Sequence, residues 1–442
     1  MITKMSLQNF KSFKNMDDLD IKPLTIIVGR NSCGKSSIIQ SLLLLKQTLE
    51  APRDVRLCLE GDYLKYTNLQ ELSFGLPDIE KANIAYNFQV ESDNSNINGK
   101  INIKFSNKKK GNSYVPDIEK YSLDINGGNK RSIIPFDEEI IDTANSHIRY
   151  HREIHKNNYK DEITAGLYNF VFTHIELLFL HEDVHRIMHV GLNTLSKEIK
   201  LSALLKDSIN NIKYLSPIRA APQRDYIHYS QGISELGKDG FNSAHLLWSK
   251  QNQIVSWKGK QQKLSEAINQ CMNCIGLSQA ITPDKIGDII YKVGVAEKNS
   301  GKPVSLADVG VGYSQIIPIT LLGLLNNSEN LMLIEQPEIH LHPSSAANLA
   351  DLFLGFIEDN KLFIIETHSQ DFINKLRLRV IQNPELKDKI NIVFVEQNDQ
   401  GESHIKQFEI DENGMFPEWP EGFIDESENL ARETLKARLD RA

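Results

Sequence analysis

The sequence predicts an α/β fold, a mixed sheet flanked by helices, carrying an antiparallel β lobe and a helical insertion. Three observations point there. Leu24 to Val28 is an unbroken apolar run that stops at Gly29, and a helical pattern follows from Ser36 to Leu49; this suits a strand buried on both faces, a glycine loop and a helix. The same rhythm returns over residues 288–400, with apolar runs Leu331 to Ile334, Leu362 to Ile365 and Ile390 to Val395. Between these halves, Ile97 to Phe105 alternates with period two and Asn126-Gly127-Gly128 is a hairpin signal, so residues 55–135 read as an antiparallel meander.

In chain order, residues 1–30 read as two strands and a turn before the loop. Residues 137–212 nearly lack Gly and Pro and repeat apolar residues at three- and four-residue spacing, as in Leu177, Leu178, Leu180 and Val184, which predicts helix. Tyr214 to Tyr229 interrupts that stretch with two prolines, and residues 241–280 read as helical again. Pro343 to Ile357 is a helix that opens on proline, where a missing N–H does no harm. The tail, 404–442, holds one short strand, a turn at Asn413-Gly414 and a charged last helix.

The 442 residues carry 40% hydrophobic and 24% charged side chains, ordinary globular usage, and suggest two or three structural units at roughly 100–200 residues each. A net charge of −8 gives no support for a protein that coats nucleic acid, so such a partner is possible but not indicated. The basic run Lys108 to Lys110 reads as a solvated hairpin tip. Met1 to Phe13 has no long apolar core, and Ile316 to Leu325 falls short of the roughly 18 residues of a membrane span; the expectation is a cytoplasmic protein with no membrane partner. Four cysteines do not make a disulfide scaffold, and Cys271 and Cys274 form one CxxC that lacks a second ligand pair, so they read as helix-face residues.

Chemistry enters at Gly29-Arg30-Asn31-Ser32-Cys33-Gly34-Lys35-Ser36, which satisfies GxxxxGK[ST] at every fixed position and is followed by Ser37. The glycines let the backbone curl, so that successive N–H groups point at a phosphate. Lys35 brings a charge to the β- and γ-phosphates, Ser36 offers a hydroxyl to Mg²⁺, and the next helix aims its positive end at the anion. The predicted ligands are ATP and Mg²⁺, on Arg30, Asn31, Ser32, Cys33, Gly34, Lys35, Ser36 and Ser37. Such a site needs a carboxylate for Mg²⁺ at the end of a buried strand, and Glu335 stands at the end of Leu331 to Ile334. It opens Glu335-Gln336-Pro337-Glu338-Ile339-His340-Leu341-His342-Pro343; a second strand ends in Glu366-Thr367-His368-Ser369.

These two stretches resemble the Walker B, D-loop and switch-histidine elements of ABC-type ATPase heads of the RecF and chromosome-maintenance kind, and of the OLD (overcoming-lysogenization-defect) group. Asn9-Phe10-Lys11-Ser12-Phe13 is similar to their first strand, and Ala307 to Gln315, with Gly310 and Gly312, sits where their signature motif lies. The resemblance covers residues 1–75 and 280–400. It implies an ABC-type head at 1–135, a helical insertion at 136–280, the signature, Walker B and switch histidine at 281–400, and a short cap at 401–442. It further implies a catalytic set of Glu335, Gln336, Glu338 and His368, and pairing of two copies in which Gly310 and Gly312 of one close over the ATP of the other. Related proteins often occur in anti-phage defence operons, beside a nuclease or another toxic effector. The sequence departs from the family at Gln336, where an acidic residue is usual; Gln can orient water but cannot take a proton, so Glu338 is expected to share that role. It departs again in the signature, where glycines stand in place of the usual serine.

Three functions follow from the resemblance: a defence-type regulatory ATPase that gates a separate effector, a RecF-like repair ATPase, or a largely non-hydrolysing ATP sensor. The stretch after Val395 is short for the Toprim domain of an OLD-type nuclease, so any nuclease is expected on another chain. Seven of the thirteen histidines are His147, His151, His155, His174, His181, His185 and His189; the sets His147/His151/His155 and His181/His185/His189 follow i, i+4, i+8 spacing, which reads as a polar helix face, with metal or pH sensing as the rival. Arg219 and Arg224 could reach phosphate or a partner's carboxylate, or be structural.

Overall fold

A computed structural model describes residues 1–92, 97–126, 129–134, 159–181, 196–227, 233–277, 279–285, 290–296, 302–416, 433–434 and 436–438. The chain opens with β1 (Ile2–Phe10), β2 (Phe13–Asp20) and β3 (Leu24–Gly29), and turns through the glycine loop into α1 (Lys35–Glu50). β4 (Asn83–Ser92), β5 (Ile97–Lys110), β6 (Ser113–Ile125), β7 (Asn129–Ile134), β8 (Tyr159–Tyr168), β9 (Val171–His181) and α2 (Ser196–Asn210) follow. Next come β10 (Ile212–Leu215), β11 (Tyr226–Ile227), α3 (Ser243–Lys250), β12 (Ile254–Trp257), β13 (Lys260–Lys263) and α4 (Leu264–Cys274). The chain continues through β14 (Ile281–Lys285), β15 (Ile290–Ala296), β16 (Pro303–Ser305), α5 (Gly312–Leu325), β17 (Leu331–Glu335) and α6 (Pro343–Glu358). β18 (Leu362–Glu366), α7 (Gln370–Gln382), β19 (Ile390–Gln397) and β20 (Ser403–Phe408) follow.

The chain divides into two compact units, one of residues 1–20, 37–211 and 397–404, the other of 21–36, 212–396 and 405–442. The first is built on an antiparallel sheet in the order β2-β1-β4-β5-β6-β7. Its strands alternate buried and accessible residues, as the sequence pattern predicts: Ile97, Ile101, Ile103 and Phe105 of β5 are buried, and their neighbours are not. α1 lies on it, with Tyr86 donating its hydroxyl proton to the Ser41 carbonyl at 3.3 Å. α2 packs on the same sheet, where the Tyr121 and Ser202 hydroxyls meet at 2.7 Å.

Two local expectations are corrected here. Within residues 241–280, read as helical, Ile254–Trp257 and Lys260–Lys263 pair as the antiparallel hairpin β12-β13, between helices α3 and α4. Leu177, Leu178 and Leu180 lie in β9, which pairs antiparallel with β8, so this part of the predicted helical stretch is a hairpin. The run Val171 to Phe179 is rich in β-branched and aromatic residues, and a short apolar run fits either period. His174 and His181 are therefore strand residues, and the i, i+4, i+8 reading of the His181 set does not hold at its first member; His147, His151, His155, His185 and His189 lie outside the described residues. The helical reading does hold for α2.

The second unit carries a sheet in the order β10-β17-β18-β3-β19-β20, parallel from β10 to β19. Buried as they are on both faces, β3 and β17 are apolar throughout except Thr25 and the strand-end Glu335. Helices α3 to α7 and two small sheets pack with one face of it around a core that includes Ile334, Phe353, Phe356, Phe363 and Phe372. Pro343 stands in the first turn of α6, with His342 as its N-cap, accepting from the Ser344 N–H at 3.3 Å. His342 thus serves the helix. Cys271 and Cys274 lie on α4 as free thiols, and no cluster able to hold a metal ion through three His, Cys, Asp or Glu occurs among the described residues. No described helix is long and apolar enough to cross a membrane.

The glycine at the end of β3 is demanded by the fold. Gly29 has φ +146°, and a Cβ there would sit 2.2 Å from the Val395 carbonyl oxygen on the neighbouring strand. Gly29→Ala is therefore expected to cost about 3 kcal/mol or more, from backbone strain and overlap together. Chemical denaturation reads this directly, and an unchanged midpoint would remove the argument.

Candidate functional site

The phosphate-loop residues and the strand-end carboxylates come together because three parallel strands end in register. Glu335 of β17 pairs with Glu366 of β18, and Glu366 with Ile27 of β3, two residues before the loop. This is the carboxyl edge of a parallel sheet, where such folds bind ligands. Ser32 and Gly34 take left-handed conformations, φ +62° and +101°, which curl the loop. Arg30, Asn31 and Ser32 are exposed, Cys33 and Ser37 are buried, and Gly34 and Ser36 are half-buried. Burial pushes the Cys33 thiol up, so it acts as a small packing side chain.

Lys35 is 4% exposed, and its ammonium donates to the carbonyls of Gly29 at 3.1 Å and Arg30 at 2.5 Å. The charge is thus held inside the loop's own curl. Ser36 donates its hydroxyl proton to Oε1 of Glu366 at 3.0 Å. Glu335 lies next to Glu366 in the sheet and accepts a hydrogen bond from the Tyr214 hydroxyl at 2.8 Å. Burial, and then the charge of Glu366, push the Glu335 carboxyl up to about 7. Burial raises Glu366 as well, and its Oε2 is buried without a hydrogen-bond partner among the described residues. Two crowded carboxylates, one with an orphaned oxygen, beside a serine hydroxyl make an oxygen donor set suited to a divalent cation such as Mg²⁺.

The other predicted catalytic residues are close by. Gln336 follows Glu335 in a left-handed conformation, φ +45°, and its N–H donates to the Glu366 carbonyl at 2.7 Å. Glu338 accepts the main-chain N–H of His368 at 2.7 Å. This ties the turn after β17 to the turn after β18, through the amide of His368 and not its imidazole. Burial raises the Glu338 carboxyl, a direction that favours proton acceptance near neutral pH. The His368 imidazole is held below its usual range, first by desolvation and then by the charge of Lys35.

Gly310 and Gly312 stand at the N-terminal end of α5. The fold itself does not require glycine there: a Cβ at Gly310 would meet nothing within 4 Å, and one at Gly312 would make ordinary contact with Leu341 at 3.5 Å. Ser314 turns its hydroxyl onto the Val311 carbonyl at 2.7 Å, so it does not replace the missing signature serine.

Three residues matter more than the sequence suggested. Glu366 ends β18 two residues before His368, and its bond to Ser36 places it beside the loop. Tyr214 belongs to β10, an edge strand of the main sheet. Of the two arginines, Arg219 is buried and bonds main-chain carbonyls, while Arg224 forms a bidentate pair with Asp308 at 2.7 and 2.9 Å.

Comparison with known proteins gives a family and several similar chains. The family described as "AAA ATPase domain" matches residues 1–373, and "Protein of unknown function (DUF3696)" matches 387–433. The Old nuclease of Escherichia phage P2 is 23% identical over 390 residues, which cover 84% of this chain. The chain spans 57% of that relative's length. Among solved structures, an SMC head bound to the C-winged helix domain of ScpA is 11% identical with a TM-score of 0.47, covering 92% of this chain and 98% of that one. The SMC head domain from Thermotoga maritima is 12% identical with a TM-score of 0.40, covering 92% and 99%. With its phosphate loop, its strand-end carboxylates and a family match over most of its length, the chain belongs to the AAA ATPase domain family.

Proposed function

We propose that this chain binds MgATP, pairs with a second copy head to head, and uses ATP hydrolysis to gate a separate effector protein, such as a nuclease or toxin, in anti-phage defence. The observation that carries the ATPase reading is the Ser36–Glu366 hydrogen bond beside Glu335, which joins the phosphate loop to the strand-end carboxylates. Magnesium, when bound, neutralises charge on the β- and γ-phosphates. Lys35 and the loop N–H groups hold the phosphates, and Ser36, Glu335 and Glu366 are the side chains placed for the cation. Glu338 is placed to take a proton from water, and Gln336 to orient it.

Pairing is supported by Gly310 and Gly312. A Cβ would fit at each within its own chain, so the fold does not demand these glycines, and a surface without side chains there lets something outside the chain approach closely. The α5 N-terminus beside them presents the positive end of a helix dipole, suited to the γ-phosphate of a second head. The effector role rests on the likeness to the Old nuclease, a related chain named for nuclease activity.

Sedimentation of Glu338→Gln protein with and without MgATP tests the pairing. Nucleotide is expected to convert single chains into dimers or higher oligomers; a monomer at every protein concentration with ATP bound rejects it. ATP-dependent capture of a neighbouring gene product from the native host tests the gating.

The same variant addresses the chemistry. Glu338→Gln keeps an oxygen for the His368 N–H, so binding is expected to survive while turnover falls by about 10²-fold or more, the usual worth of a general base. Gln336→Glu restores the acidic residue and is expected to raise turnover. Steady-state kinetics decides; a faster Gln336→Glu together with an unaffected Glu338→Gln removes Glu338 as the base. One specific feature favours the rival reading of a slow ATP sensor: Gln336, which cannot accept a proton, occupies the position directly after the metal carboxylate.

A further inference from the structure

Arg219 lies outside the phosphate loop and both strand-end motifs, yet its guanidinium touches the elements that frame them. It is 6% exposed. Nη2 donates to the Glu335 carbonyl at 3.1 Å. Nη1 donates to the carbonyls of Gln336 at 3.3 Å and Pro217 at 3.1 Å, and to Oε1 of Gln315 at 3.4 Å. Gln315 sits in the first turn of α5, three residues after Gly312. One rigid, planar group thus spans the start of the signature helix and the end of the metal-binding strand.

The strand end needs such a hold. Gln336 is left-handed, a conformation that costs a non-glycine residue on the order of 1–3 kcal/mol unless its surroundings enforce it. Three bonds hold it: its N–H to Glu366, and its carbonyl to the Arg219 guanidinium and to the Ile339 N–H, each at 3.3 Å. Burial disfavours the charge of the guanidinium, and the nearby carboxylates of Glu338 and Glu335 offset part of that cost. Desolvation indeed lowers Arg219 to about 10, which still leaves it charged at neutral pH. Arginine, unlike lysine, has a fork wide enough to bond a helix and a strand at once.

We propose that Arg219 is a positioning residue that transmits engagement of the α5 N-terminus to the turn carrying Glu335, Gln336 and Glu338. A shift of α5, as it closes on the nucleotide of a second head, moves Gln315 and with it the guanidinium. The strand-end turn then follows, and each head's hydrolytic residues respond to that head's own signature contact. This inference rests on the paired-head reading.

The test compares Gln315→Ala, Arg219→Lys and Gly312→Arg in the full chain. MgATP affinity is measured by calorimetry, thermal midpoint by scanning, and kcat and KM by steady-state turnover at several protein concentrations. Gln315→Ala removes only the link to α5, and Arg219→Lys keeps the charge but not the span. Both are expected to bind MgATP within about twofold of the original chain and still to pair, while kcat falls about tenfold, because small displacements of reacting groups cost rate and not affinity. Normal kcat in Gln315→Ala, with Gly312→Arg inactive, overturns the coupling and leaves the pairing intact. Full turnover in Gly312→Arg overturns the paired-head reading, and the coupling with it. If Arg219→Lys lowers the thermal midpoint while kcat per folded chain is unchanged, Arg219 is a structural clip and the proposal is wrong.

Discussion

Lys35→Ala is expected to lose MgATP binding by about 10- to 100-fold and to have no measurable turnover. The ammonium is buried and already held at the loop's inner face by the carbonyls of Gly29 and Arg30. From there it reaches phosphate with little conformational entropy to lose. A charge-assisted hydrogen bond of this kind is worth roughly 1.5–3 kcal/mol, which is one to two decades of affinity. Removing it also strips the positive charge opposite Glu366, whose carboxyl Lys35 otherwise stabilises in its ionised form. Calorimetric titration with ATP and Mg²⁺ measures the effect, with the thermal midpoint as the check on folding. An unchanged affinity and turnover in a folded variant would take the phosphate role away from this loop.

The second large effect concerns Gly312→Arg. A side chain at this position fits its own chain, since the first atom it adds makes only ordinary contact with Leu341. Folding and single-head nucleotide affinity should therefore stay near those of the original protein, because on the proposed reading Lys35 and Ser36 supply the phosphate contacts. A long charged side chain at the start of α5 should block a second head, and turnover should collapse. Mixing with Lys35→Ala sharpens the result. Each mixed pair holds one composite site carrying both lesions and one carrying neither, so part of the activity should return. A mixture that remains inactive, though both chains fold and associate, defeats the shared-site arrangement. Normal hydrolysis by Gly312→Arg alone shows that this loop is no signature motif.

The phosphate loop could be read from the sequence because its chemistry is contiguous. A left-handed curl, a lysine and a hydroxyl at fixed spacing are properties of eight neighbouring residues, and the apolar runs around them state the strand and helix that hold them. The strands ending at Glu335 and Glu366 were legible for the same reason: five apolar or strand-end residues buried on both faces leave little doubt of type. Leu177 to Leu180 was misread because a short apolar run satisfies both helical and extended spacing, and only pairing with β8 chooses between them.

By itself, the sequence determined the local devices: the curled loop of Gly29 to Ser36, the parallel-type strands, the proline-started helix α6 and the residue types available at the strand ends. The tertiary structure alone decided which of these share a site. Register between β17, β18 and β3 brings Glu366, 330 residues away in the chain, onto the hydroxyl of Ser36. The four-residue strand β10 delivers Tyr214 to Glu335, and the segment after it delivers Arg219 to the carbonyls of Glu335 and Gln336. Local propensity acts over a few residues and is written in their order. The pairing of strands distant in the chain is set by collective burial and backbone hydrogen bonding, which no single stretch of sequence contains.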